Sequence, residues 1–92
     1  MRSIEFKPSF DKSFGKLHSS DQDKVDSAVG RFLSGLEKNQ IPQGLGLKRL
    51  QDDQWEIRVD LSLRICFRMQ KNLIEFALAG THDSIKKFLK NF

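Results

Sequence analysis

Trp55-Glu56-Ile57-Arg58-Val59-Asp60-Leu61-Ser62-Leu63-Arg64-Ile65-Cys66-Phe67-Arg68-Met69 is the stretch whose reading decides the fold. At a period of two it contains two strands. Trp55, Ile57 and Val59 oppose Glu56, Arg58 and Asp60 in the first; Leu63, Ile65, Phe67 and Met69 oppose Arg64, Cys66 and Arg68 in the second. Parallel pairing needs a crossover of roughly a dozen residues, which the turn at residues 60–62 cannot supply, so the two runs pair antiparallel. One face of this hairpin is apolar. The other gathers Arg58, Arg64 and Arg68 beside Glu56 and Asp60. A solvated face of alternating charges explains one such strand. Three arginines on one face of two neighbours point to an anion, because the guanidinium is a planar, permanently charged fork suited to phosphate.

Outward on the N-terminal side, residues 47–50 (Leu-Lys-Arg-Leu) form a short strand and residues 51–54 a polar turn into the hairpin. Residues 39–46, with Pro42, Gly44 and Gly46, form a loop. The Gly44-x-Gly46 pair is not a phosphate loop, since neither Gly-Lys-Ser/Thr nor a helix follows it. Val25, Ala28, Val29, Phe32, Leu33 and Leu36 make an apolar stripe over three turns, the strongest helix in the chain. The turn at residues 17–21 offers it several N-cap residues. Phe10, Phe14 and Leu17 predict a shorter helix over residues 9–17, and Ile4 and Phe6 a first strand over residues 3–7 that Pro8 ends. The two helices pair as a hairpin over one face of a sheet.

On the C-terminal side, residues 73–79 are apolar on both faces except for Glu75, which predicts a strand covered on both sides. Gly80-Thr81-His82-Asp83 closes it. A last helix follows, with Ile85, Phe88, Leu89 and Phe92 on its buried stripe and Lys86, Lys87 and Lys90 on its wet side. The fold class is therefore α+β: an N-terminal strand, a helical hairpin, an antiparallel four-strand meander and a C-terminal helix, in a single domain over residues 1–92.

Ninety-two residues with 38% hydrophobic content suit one small domain with a modest core. A formal net charge of +4 and a pI near 9.5 favour an anionic partner. The first eight residues lack the apolar core of a signal peptide and no apolar run is long enough for a bilayer, so the expected location is the cytoplasm, with no membrane partner. A single cysteine, Cys66, forms no internal disulfide; with His18 and His82 far apart in sequence, neither a metal site nor a cofactor is expected. Cys66 reads as a small packing residue.

His82 stands where a covered strand ends and a helix begins, close to unpaired helix amides. Its plain role is that of a capping or hydrogen-bonding histidine; its chemical one is giving or taking a proton near neutral pH. If His82 meets the charged hairpin face, Arg58, Arg64 and Lys48 supply charge around a phosphate and the imidazole supplies proton transfer. Those are the parts for cleaving RNA without a metal: the 2′-hydroxyl attacks the adjacent phosphorus, the 5′-oxygen departs with a proton, and cations stabilise the phosphoryl oxygens. DNA lacks the attacking hydroxyl. Arg49, Arg68, Lys86 and Lys87 are the candidate contacts to the RNA backbone. Glu56 is either a base or the ion-pair partner of Arg58 or Arg64.

Leu47-Lys48-Arg49-Leu50, Trp55-Glu56-Ile57-Arg58-Val59, Leu63-Arg64-Ile65-Cys66-Phe67-Arg68 and Gly80-Thr81-His82-Asp83 before a basic helix together resemble the RelE/ParE superfamily of type II toxin–antitoxin toxins, in its RelE/YoeB/YafQ-like branch. The resemblance covers essentially the whole chain. It implies a ribosome-dependent mRNA endonuclease that cuts in the A site, inhibits translation, is neutralised by a wrapping antitoxin, and reaches operator DNA only through the antitoxin complex. By position, Arg58 and Arg64 match the arginines of the family's catalytic face, Lys48 a strand position that carries a charged catalytic residue, and His82 the histidine after the last strand. Many members also carry a tyrosine or other aromatic near that histidine; this chain has no Tyr, and Asp83 and Lys86 stand there. Two alternatives accompany the nuclease: a ParE-like DNA gyrase inhibitor, a class that usually lacks the histidine, and a catalytically inactive relative that binds only the antitoxin.

Overall fold

The computed structural model describes residues 2–91. In chain order it contains strand β1 (Ser3–Phe6), helices α1 (Pro8–Gly15) and α2 (Ser19–Glu37), a 3-10 turn (Gln43–Leu45), strands β2 (Lys48–Gln51), β3 (Gln54–Arg58), β4 (Arg64–Gln70) and β5 (Leu73–Gly80), and helix α3 (His82–Lys90). The α+β order expected from the sequence is the order found. Phe92, placed on the last helix's stripe by periodicity, lies outside the described residues.

The hairpin that opened the sequence reading is β3–β4. Trp55 opposes Phe67 and Ile57 opposes Ile65 on one face; Glu56 opposes Cys66 and Arg58 opposes Arg64 on the other. The connecting turn is set by Asp60, whose Oδ1 accepts the Ser62 and Leu63 backbone N–H groups at 2.9 and 2.8 Å. Lys24 of α2 donates to the Asp60 Oδ2 at 3.3 Å. Asp60 therefore belongs to the turn, tied towards α2, and does not join the charged face where strand alternation had put it. Those two backbone donors, and then Lys24, hold its carboxyl below the ordinary carboxylate value.

The sheet order is β1-β5-β4-β3-β2. β2 to β5 make the expected antiparallel meander, and β1 adds to its far edge in parallel, Ser3 beside Leu73 and Phe6 beside Phe76. Pro8 begins α1 as well as ending β1, because the first helical position needs no N–H. From there α1 takes over the edge of β5. The Ser9 hydroxyl donates to the Ala77 carbonyl at 2.6 Å and the Ala79 N–H donates to the Ser13 hydroxyl at 3.0 Å. The register steps from Cys66–Leu78 to Phe67–Phe76, so Ala77 is a bulged residue on β5.

The main core lies between the sheet and the first two helices. Phe10, Val25, Ala28, Val29 and Phe32 meet Ile57, Ile65, Phe67, Ile74, Phe76 and Ala79, with the Phe32 and Phe67 rings 4.7 Å apart. None of the polar residues at positions 18–21 caps α2 with its side chain; His18, expected to be ordinary surface and indeed exposed, holds the N-cap position by backbone alone. α3 contacts β4 and β5 from the opposite face, where Ile85 and Cys66 are buried. The centre of the charged face is thus covered rather than open: Gln54, Glu56 and Cys66 are all buried. Among the described residues no helix is long and apolar enough to cross a membrane.

Candidate active site

The register brings the arginines to one end of the sheet. Arg58 on β3 is directly opposite Arg64 on β4, and Arg64 is directly opposite Gly80, the last residue of β5. Neighbouring strands lie about 4.8 Å apart, so three backbones of this row span roughly 10 Å. Like charges placed opposite each other on a sheet are destabilising. Two guanidinium groups held in that relation suit an anion between or above them.

His82 follows two residues on, as the first residue of α3, and its side chain is exposed. The chain turns there because Thr81 caps the helix. Its Oγ1 accepts the Ser84 N–H at 3.1 Å, and the Ser84 hydroxyl donates to the Thr81 carbonyl at 3.0 Å. Gly80 leaves room for this return: a Cβ on it would stand 2.5 Å from the Ser84 Oγ, which would have to rotate away. At the other flank Gly46, at φ +56°, lets the loop before β2 lie against Arg58. In the sequence Gly46 reads as part of a loop and Gly80 as the end of a strand, neither with a role at the site, and the cap is not named there, although Thr81 ahead of an apolar stripe is a readable start signal.

One step inward, Lys48 on β2 is opposite Glu56, which puts both on the charged face. Of the two roles the sequence left open for Glu56, the structure has it as an ion-pair partner. Its Oε2 accepts from the Arg64 Nη1 at 3.2 Å, and the two side chains are 4% and 18% exposed. So buried and engaged a carboxylate is out of reach of a substrate hydroxyl. Glu56 Oε1 and Arg64 Nε are buried without hydrogen-bond partners. Cys66 lies beside them, its thiol pushed up to about 12 by burial and then by the charge of Glu56. It is an inert packing residue, as its position in a strand suggested.

Other site residues named from the sequence lie apart. Arg49 is opposite Trp55, on the face that carries α1 and α2, and its Nε donates to the Asp52 carbonyl at 2.7 Å. Arg68 is four residues from Arg64 along β4, roughly 13 Å at the usual strand rise, and stands between Asp53 and Glu75 at 3.6 and 3.8 Å. Strand alternation gives a side chain's face but not its end of the sheet, so it grouped Arg68 with two arginines it does not meet. Lys86 and Lys87 are exposed on α3, Lys86 one turn beyond His82. A surface groove of about 780 Å³, lined by Ile4, Leu33, Leu36 and Lys71, is at the β4–β5 turn and shares no residue with the Arg58–Arg64–His82 end.

No protein-family profile and no curated protein matches this sequence. Solved structures match its fold. The toxin–antitoxin complex of DinJ and YafQ from E. coli aligns at a TM-score of 0.70 with 18% identity, covering 91% of this chain and 96% of that one. The RelB–RelE antitoxin–toxin complex from Methanococcus jannaschii aligns at 0.69 with 15% identity, over 91% and 96%. The YoeB–YefM toxin–antitoxin complex from Staphylococcus aureus aligns at 0.63 with 17% identity, over 89% and 98%. The chain has the fold found in these structures.

Proposed function

We propose that this chain is the toxin of a type II toxin–antitoxin system and an endoribonuclease that cuts mRNA in the ribosomal A site, so stopping translation. The observation that carries the reading is the row Arg58–Arg64–Gly80 with His82 at its end: two cations and a proton-transfer group at one rim of the sheet. His82 also favours the nuclease over gyrase binding, which needs no imidazole. The likeness of fold to YafQ, RelE and YoeB supports the toxin reading at a coarser level.

In this mechanism the scissile phosphate sits against Arg58 and Arg64, with Lys48 adding charge from β2. The 2′-hydroxyl attacks phosphorus, the bond to the 5′-oxygen breaks, and His82 moves a proton on or off one of the two oxygens. The arginines stabilise charge on the phosphoryl oxygens as it grows. Lys86 and Lys87 follow the RNA backbone along α3. The partners are the ribosome with its mRNA and a cognate antitoxin, with operator DNA bound only through the antitoxin; one domain, in the cytoplasm, does all of this.

Toeprinting on programmed ribosomes tests it. The wild-type chain, expressed without antitoxin, arrests growth and leaves an A-site cut. His82→Ala and Arg64→Ala relieve both, with kcat lowered roughly 100- to 1,000-fold for the lost donor. Absence of a cut with inhibited DNA supercoiling assigns the chain to gyrase; absence of both, with antitoxin still bound, assigns it to the inactive relatives.

A further inference from the structure

The Glu56–Arg64 pair is a poor device for stability. Burying two charges carries a desolvation penalty, recovered only when the geometry is good and the remaining lone pairs and protons find partners. Here Oε1 of the carboxylate and Nε of the guanidinium find none. Buried unsatisfied groups of this kind call for a reason other than packing. Geometry supplies one. Glu56 is diagonal to Arg64 across the β3–β4 ladder and grips Nη1 alone; Nη2 carries no hydrogen bond among the described residues and is not among the buried unpaired atoms. Arg58, directly opposite, has no ion pair among the described residues and is exposed. One arginine of the row is therefore fixed and the other free to swing.

We infer that Glu56 is a positioning residue, which holds one arm of the Arg64 fork so that the other arm, Nη2, meets the phosphate of the RNA. The inference rests on the nuclease reading and deepens it. A fork is essential to this arrangement, because a carboxylate and a phosphate are served by different arms of one rigid group. A lysine at position 64 has a single ammonium, and Glu56 captures it.

Two measurements decide the point. Side-chain nitrogen NMR of the wild-type chain shows separate Arg64 Nη signals, from hindered rotation of a held guanidinium, and Glu56→Gln merges them into one; a single averaged signal in the wild type overturns the inference. In the ribosomal cleavage assay, Arg64→Lys is as impaired as Arg64→Ala, and Glu56→Gln/Arg64→Lys regains roughly tenfold over Arg64→Lys as the ammonium is released. A double variant no more active than Arg64→Lys, with both folded by circular dichroism, reduces Glu56 to a structural part. If the wild type cuts no ribosome-bound mRNA, the nuclease reading falls, and the NMR comparison still decides whether Glu56 fixes Arg64.

Discussion

The thiol of Cys66 is fully buried beside the Glu56 carboxylate, and both conditions disfavour the thiolate, which raises its pKa from 9.0 to about 12. The folded chain therefore holds this proton more tightly than the unfolded chain does. Its contribution to stability is fully present below pH 9 and is lost as pH rises from there towards 12, by at most about 4 kcal/mol. Denaturant titrations at pH 8 and pH 11 should show a fall that is smaller in Cys66→Ala than in the wild type; equal falls would mean the thiol is not what titrates. At neutral pH iodoacetamide should leave Cys66 untouched until the chain is unfolded. The same neighbourhood shows what a single residue discloses in sequence: a lone Cys in a strand reads as packing, and it is packing. Glu56 discloses less, since nothing in its strand position tells a base from a clamp.

Two glycines of α2 carry opposite expectations. A Cβ on Gly30 meets nothing within 4 Å, whereas one on Gly35 would come within 2.9 Å of the Gln40 carbonyl oxygen and 3.2 Å of the Ile41 Cα. Gly30→Ala should stabilise by about 0.5–1 kcal/mol through helix propensity, and Gly35→Ala should destabilise by about 1–3 kcal/mol because backbone must move; thermal melts of the pair decide it. Elements were the most legible level. The stripe from Val25 to Leu36, the two alternating runs at Trp55 to Met69 and the doubly apolar run at β5 each carried its own period, and each became the expected helix or strand. What one element does to another was not written in any period. The parallel docking of β1, the packing of α3 on β4 and β5, the turn of Asp60 towards Lys24 and the separation of Arg68 from Arg64 all depend on contacts between segments distant in sequence. Alternation put Arg58 and Arg64 on one face, and the register then placed them opposite each other at the end of the sheet that His82 follows; Arg49 lies on the other face because alternation was not applied to the short β2.

For the molecule as a whole, charge and connectivity divide the two ends of the sheet. Arg68 and Lys7 are partnered by Asp53 and Glu75 at one end, while towards the other Arg64 pairs with Glu56 and, among the described residues, Lys48 and Arg58 have no ion pair. The chain's two halves meet along β5, where Ser9 bonds Ala77 across 68 residues of sequence and Phe6 stacks on Phe76 with ring centroids 5.0 Å apart. Contacts so distant in sequence form late, because loop closure must precede them. Phe6→Ala should therefore quicken unfolding and leave the refolding rate nearly unchanged, at a total cost of about 2 kcal/mol; stopped-flow measurements that show refolding slowed by the same factor would put β1 in the nucleus instead. During synthesis the consequence is sharper. The first strand leaves the exit tunnel long before its neighbour exists, and it must wait, beside an unfinished meander, until residue 80 has emerged. A product released before then lacks the complete strand that joins β1 to the rest of its sheet, and His82 with it, so premature termination leaves a cell with an unfolded remnant.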